Sequence, residues 1–457
     1  MNRLFAGRDA DMTVGSIPRL LTAFAIPMAL GLLLQQLYNT VDARVVGQYV
    51  SSQALAAVGT TGSICNMLVG FCAGLSTGAG VVIARAYGAH DAPRLRDAVH
   101  TSILMALLLS LLMTLLGLLI VDPMLRLMNT PEDVYADART YLVIYFGGIA
   151  GLVMYNMGSA VMRAVGDSTR PLMVLFVSAV VNIVSDLLCV IVFHMGVAGA
   201  AWATILSQLA SCVLVLAFLT KEKGDYGIRW RKLRLVPDIL RDIFTIGLPS
   251  GIQQGITSFS NVFVQSYTNY FGSAAMAGWA SYNKLDAYIF VPSQSIAMGA
   301  STFVAQNAGA GRYSRAREGV RVSLYMSLGI TAVLCLACVI WARQAIAIFS
   351  PDPEVIRFGV FFVTLISPFY IFTCFTQTYA GALRGVGNAT APMYIMLFSY
   401  VLFRQAYLFC AKQLGNDLTA ISLAYPVGWM MCTALQAIAY HRSILCRRTE
   451  EKSLGDV

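Results

Sequence analysis

The 457-residue chain takes 57% of its residues from the apolar set and only 12% from the charged set, with a formal net charge of +9. Soluble domains carry roughly 25% charged residues, so a soluble enzyme, a disordered regulator and a disulfide-stapled secreted module are excluded. Uncharged stretches such as 101–120 and 322–342 are long enough to cross a hydrocarbon core about 30 Å thick.

Apolar runs between polar breaks predict twelve spans, near 20–48, 54–84, 100–121, 138–161, 170–193 and 196–220, then 242–268, 275–305, 321–348, 358–383, 392–412 and 417–440. The amino terminus reads as uncleaved, because polar residues run to Arg19 and the first apolar run contains Gln35, Asn39 and Asp42. With both termini in the cytoplasm, 24 of the 32 Lys and Arg residues fall on the cytoplasmic side, five on the outer side and three (Arg44, Lys284, Arg404) inside spans. That ratio sets the orientation. The basic residues form short clusters between apolar runs and not a face interleaved with aromatics, so no nucleic-acid partner is expected. The four histidines lie near span ends on opposite sides and do not converge on a metal. Cys335 and Cys338 form a CxxC inside an apolar helix, where packing is the expected role.

The chain is a tandem repeat. At an offset of 221, residues 163–171 (RAVGDSTRP) lie over 384–392 (RGVGNATAP) with five of nine identical, and 78–96 lie over 299–317. Pro27 lies over Pro249 with one residue of slippage. Six spans per repeat is an even number, so both copies enter the membrane in the same orientation, related by an axis along the membrane normal. The expected fold class is therefore an all-α polytopic membrane protein of twelve transmembrane helices, in two pseudo-twofold-related six-helix lobes around a central cavity. The expected domains are an N-lobe (1–222), a cytoplasmic linker (223–241) and a C-lobe with a cytoplasmic tail (242–457). The two Arg-x-x-Gly motifs read as tight turns, with Gly166 and Gly387 supplying unusual backbone angles and Pro171 and Pro392 opening the next helix.

An ionisable side chain within a span costs several kcal/mol unless paired or hydrated, so each is a functional candidate. Gln35, Tyr38, Asn39 and Asp42 share one face of span 1, and Asn182 and Asp186 share one face of span 5. Depth counting puts Asp42, Asp186 and Thr204 in one layer of the outer half of the membrane. Two carboxylates, an amide oxygen and a hydroxyl form a hard-oxygen set suited to a small cation such as Na⁺ or to a shared proton, not to a transition metal. At the same offset the second lobe substitutes Phe403, Tyr407, Tyr425 and Phe263, so the site is confined to the first lobe. Lys284, Asp286 and Arg404 are expected to form a structural or gating network of their own.

The chain resembles the MATE (multidrug and toxic compound extrusion) family, in its prokaryotic DinF-like branch, over nearly its whole length. The residues that carry this are Pro27 followed by 37–42 (LYNTVD), the two Arg-x-x-Gly turns, 182–186 (NIVSD), and 196–201 (GVAGAA) leading to Thr204. The resemblance implies a secondary antiporter of a bacterial inner membrane that exports drugs or toxic organic compounds. It implies a first-lobe Na⁺ or H⁺ site at Asp42, Asn182, Asp186 and Thr204, and drug contacts at Tyr38, Tyr141 and Asn156, with Asn39 on the same face as Tyr38. Pro27 corresponds to a family proline at which span 1 bends. No cofactor beyond the coupling ion is expected, and a monomer within membrane lipid suffices because both lobes lie in one chain. The competing reading is a flippase for a lipid-linked precursor from the same superfamily. Such proteins usually have more spans and several cavity bases to hold pyrophosphate, which this chain lacks.

Overall fold

The computed structural model describes residues 10–49, 52–128, 130–413, 415 and 417–447. Side chains at 39, 41–49, 52–60, 63, 257–259, 261–263, 265–266 and 269 lie outside that description. The described residues form helices without strands: α1 (Ile17–Tyr49), α2 (Ser52–Gly88), α3 (Ala92–Leu127), α4 (Glu132–Gly147), α5 (Ile149–Ala164), α6 (Thr169–Asp186) and α7 (Gly196–Lys221). The second half continues with α8 (Pro237–Thr268), α9 (Ser273–Gly309), α10 (Tyr313–Ile340), α11 (Ala342–Ala347), α12 (Pro353–Ile366) and α13 (Tyr370–Gly385). It ends with α14 (Thr390–Met396), α15 (Arg404–Gln413), α16 (Leu418–Ser422) and α17 (Ala424–His441).

Among the described residues nine spans are long and apolar enough to cross a membrane, and the pair α4–α5, bent by 48°, makes a tenth. Two of the twelve expected spans fail that composition test. These are α8 and α9, which at 32 and 37 residues have the length. Their polar side chains, including buried Gln253, Ser260, Ser281, Ser293 and Ser295, lower the mean hydropathy while facing protein.

The chain divides into two compact units. One is built mainly from Leu30–Gly251, and the other joins Asp11–Ala29 to the chain from Ile252 onward. Two of the three changes of unit fall two residues after a proline inside a continuous helix, Pro27 in α1 and Pro249 in α8. Proline removes one backbone hydrogen bond, so these are points where a long helix bends at little cost.

In the first unit α2 receives the start of α8 through glycines. A Cβ on Gly78 would lie 2.5 Å from the Ile243 carbonyl oxygen and 2.7 Å from Gly247 Cα. In the second unit the repeat partner of Gly78 is Gly299 of α9, which receives α1, and there a Cβ would meet side chains alone, the Phe24 ring at 3.2 Å and Leu21 at 3.8 Å. Met12, Ile17, Leu21, Phe24, Met28 and Phe303 form the apolar seam of that contact. Polar ends close it: Gln306 Oε1 accepts the Met12 N–H at 2.8 Å, and Asn307 Nδ2 donates to the Met12 carbonyl at 3.1 Å.

The Arg-x-x-Gly motifs are the turns their composition implies, with Gly166 at φ +87° and Gly387 at φ +86°. After Gly166, Asp167 Oδ1 accepts the N–H groups of Thr169 and Arg170, and Oδ2 faces Arg170 Nε at 3.2 Å. Arg170 reaches on to Glu222 and the Tyr226 hydroxyl, both at 3.2 Å. Burial raises the Glu222 pKa, but the Gly224 N–H, the Tyr226 hydroxyl and the Arg170 charge outweigh it and hold the carboxyl below its ordinary value.

The charged stretch after α7 is docked on the first unit. Arg234 binds both carboxylate oxygens of Asp97, at 2.6 and 2.8 Å from Nη2. Thr101 donates to the Arg234 carbonyl and accepts the Val236 N–H. His100 Nδ1 lies 2.6 Å from the Arg96 carbonyl while Nε2 accepts the Arg229 N–H at 3.1 Å, which fixes the proton on Nδ1. That histidine holds the linker in place.

Candidate functional site

The first-unit site is organised by the antiparallel pair α6 and α7. Ser178 donates to the Ser207 carbonyl at 3.1 Å, which sets their register. One turn further along α6 is Asn182, and one turn back along α7 is Thr204, so both move in the same direction from that bond. Asp186 comes one turn beyond Asn182. The exposures of Asn182 and Asp186 are 2% and 0%, so an amide and a carboxyl sit stacked on a buried helix face. Among the described residues Asn182 Oδ1 has no hydrogen-bond donor. Thr204 spends its proton on the Ala200 carbonyl at 3.0 Å, leaving its lone pairs able to accept or to ligate.

Immediately after Asp186 the helix widens into a π turn, Leu187–Val192. Such turns leave the regular backbone ladder and concentrate at functional sites. Composition gives no signal for it, and the sequence reading had span 5 as a plain helix.

Close glycine contacts give the depth of the remaining candidates. A Cβ on Gly148 would strike Ile205, one on Gly151 would meet the Gln208 backbone, and one on Gly158 would strike Val215. Helix α5 therefore runs alongside α7 with a constant offset, and α4 packs on α7 beyond the 48° bend. Tyr141 lies on α4. It is buried and stacked on Tyr145 with ring centroids 6.2 Å apart. Asn156 is level with about Val213, nine residues beyond Thr204 or roughly 13 Å deeper at 1.5 Å per residue, and it donates to Leu152 of its own helix at 2.9 Å. The structure thus brings Asn182, Asp186 and Thr204 to neighbouring layers and sets Asn156 apart from them. Pro27 is buried inside α1, which runs unbroken from Ile17 to Tyr49. Tyr38 is half-buried on that helix. The side chains of Asn39, Asp42 and Arg44 lie outside the described residues.

In the second unit Arg404 is 2% exposed. Its guanidinium stands over the Tyr400 ring at 4.7 Å and the Tyr425 ring at 4.6 Å from the centroids, and Nη1 donates to Ser260 at 3.2 Å. Lys284 instead lies over the Phe349 ring at 5.5 Å. Asp286 is close enough for its charge to act on the hydroxyls of Tyr282 and Tyr425. Lys284 and Arg404 therefore take separate partners, while Asp286 and Arg404 share Tyr425 as a neighbour. A second π turn, Leu397–Phe403, precedes Arg404. It corrects the register expected from the sequence offset. The buried face of α6 runs Ser178, Asn182, Asp186, which at an offset of 221 predicts positions 399, 403 and 407. The buried residues are Ser399, Arg404 and Leu408. The additional residue of the π turn rotates the helix by one position, so the counterpart of Asn182 is Arg404 and not Phe403.

A helical, internally repeated, multi-spanning chain with polar side chains buried on protein-facing helix faces has the architecture of a membrane transporter. The MatE family model matches residues 27–188 and 249–407, and the chain belongs to that family. Probable multidrug resistance protein YoeA of Bacillus subtilis (strain 168) is 28% identical over 396 residues, with 84% of each chain covered. Probable multidrug resistance protein YpnP of the same organism is 28% identical over 439 residues, covering 94% of this chain and 97% of its own. The fold matches a crystal structure of MATE in complex with MaL6 at a TM-score of 0.91 and 21% identity, over 99% of this chain and 100% of the other.

Proposed function

We propose that this chain is a secondary active multidrug exporter that moves organic, often cationic and amphipathic compounds outward in exchange for Na⁺ or H⁺. It sits in a bacterial inner membrane with both termini in the cytoplasm, the orientation that the bias of basic residues favours. The observation that carries the exchange reading is the buried Asn182–Asp186 face beside Thr204. An ionised carboxyl in a span is costly to bury, and uptake of a cation or proton for part of a cycle lowers that cost. Relatives named as multidrug resistance proteins support the substrate class.

In this mechanism Asp42 joins Asn182, Asp186 and Thr204 in taking up the coupling ion from outside. Tyr38, Asn39, Tyr141 and Asn156 contact the drug. Ion binding favours the drug-releasing state only to the extent that its affinity differs between the two states. Pro27 and Pro249 supply the helix bends through which each repeat changes its packing. The test is efflux of a fluorescent organic cation from proteoliposomes under separately imposed Na⁺ and pH gradients, comparing wild type with Asp42→Asn. Export under one gradient that Asp42→Asn abolishes in folded protein supports exchange and names the ion. Wild type that moves no dye under either gradient overturns the reading in favour of a lipid-linked substrate.

A further inference from the structure

The second unit holds a permanent cation where the first unit has an ion ligand. The π turn Leu397–Phe403 brings Arg404 to the register position of Asn182. Tyr425, which faces it, is the repeat partner of Thr204. Ser260 of α8 ties the third helix in, accepting from Arg404 Nη1 at 3.2 Å and donating to the Tyr400 carbonyl. Gly428, repeat partner of Ser207, leaves the room that the guanidinium needs, since a Cβ there would lie 3.1 Å from Arg404 Nε. Where the first unit sets α6 on α7 with the Ser178 bond to the Ser207 carbonyl, the second has a guanidinium between the helices.

Two aromatic faces with an oxygen acceptor at the edge make the chemical environment of a planar organic cation. Around it stand further buried rings: Trp429 at 5.9 Å and Trp279 at 5.4 Å from Tyr425. Tyr282 and Tyr370 bring their hydroxyls to 3.1 Å behind them. Arginine suits such a cage better than lysine because its flat, weakly hydrated head stacks and still donates in plane.

We propose that the Tyr400–Tyr425–Ser260 cage is a cation-binding site of the second unit, permanently occupied by the chain's own Arg404. The tethered cation closes α8, α15 and α17 around itself, and it leaves the second unit unable to take up an exchangeable cation or a drug cation at that place. The proposal rests on the exchange reading of the first-unit site only for the contrast between units; the cage itself is tested separately.

The test is chemical rescue. Thermal melting of the purified full chain is measured for wild type and Arg404→Ala, with millimolar methylguanidinium, with urea as its uncharged analogue, and with NaCl. Arg404→Ala should melt several degrees lower. Methylguanidinium should restore most of the loss, urea and NaCl should not, and wild type should not respond. Adding Tyr425→Leu should abolish the rescue. Equal rescue by urea, or no rescue of a folded Arg404→Ala protein, overturns the proposal. Arg404→Met covers the case in which Arg404→Ala does not fold, because methionine fills the same space without charge. Wild-type stability and efflux in Arg404→Met overturn the proposal, whereas loss of both that Arg404→Lys partly recovers supports it. Failure of the exchange reading would show in the Asp42→Asn efflux assay and leave the melting experiment unaffected.

Discussion

The two units descend from one repeat yet treat charge in opposite ways. At the turn between the fourth and fifth spans, the first unit buries Asp167 and pairs it with Arg170, which also binds Glu222. The second puts Asn388 and Ala391 at the same places and keeps one neutral hydrogen bond of 3.1 Å. Deeper in the membrane the first unit stacks Asn182 and Asp186 on a buried face, while the second inserts Arg404 between two tyrosines. The first unit keeps oxygen acceptors there, as the proposed uptake of an exchangeable ion requires. The second keeps a donor that cannot leave. The backbone plan is shared, and a one-position rotation at a π turn separates the two chemistries.

The comparison is broken most severely at Asp186. Asp186→Asn should lower gradient-driven efflux by roughly 5–150-fold, the usual size of a coupling free energy, with little loss of folded protein. Tyr407→Phe at the sequence-offset partner should leave coupling unchanged, because the Tyr407 hydroxyl is engaged in donating to the Ala420 carbonyl. Equal effects in the efflux assay would mean that the units share the task.

Gly78 and Gly299 differ in what they touch. Gly78→Ala pushes a methyl group into Ile243 and Gly247 backbone and should cost about 1–3 kcal/mol, read as lowered thermal stability. Gly299→Ala meets the Phe24 ring and, at ordinary contact distance, Leu21, both side chains that can shift, and should cost less than about 1 kcal/mol. A larger loss at Gly299 would reverse the assignment of the tighter helix crossing to the first unit.

At the turns, Asp167→Asn should destabilise by about 1.5–3 kcal/mol through loss of a charge-assisted bond, while Asn388→Asp should stay within about 0.5 kcal/mol. Melting temperatures of the pair check this. The smallest effect is a pH dependence at Glu222, whose carboxyl is held below its ordinary value of 4.5. A depressed carboxyl stabilises the fold above that ordinary value and loses the contribution as pH falls through the folded one. Wild type should therefore lose slightly more stability than Glu222→Gln as the pH drops below 4.5.

Much of this was legible in the sequence because membranes impose simple rules. Span length, the repeat at 221 residues, the glycine turns at Gly166 and Gly387, and the shared face of Asn182 and Asp186 follow from hydropathy and helical spacing. The second-unit network was not legible. Lys284, Asp286 and Arg404 look alike as buried charges, and only packing assigns Lys284 to Phe349 and Arg404 to its tyrosines. The spans α8 and α9 also fall short on composition because polar residues that face protein still count against them.

The sequence by itself determined the class of fold, the repeat and the polar residues available for a site, since these depend on composition and period alone. Tertiary structure decided which residues of the two repeats correspond. A π turn changes the helical phase by one residue without leaving any mark on hydropathy, and that phase brings Arg404 into the place held in the other repeat by Asn182.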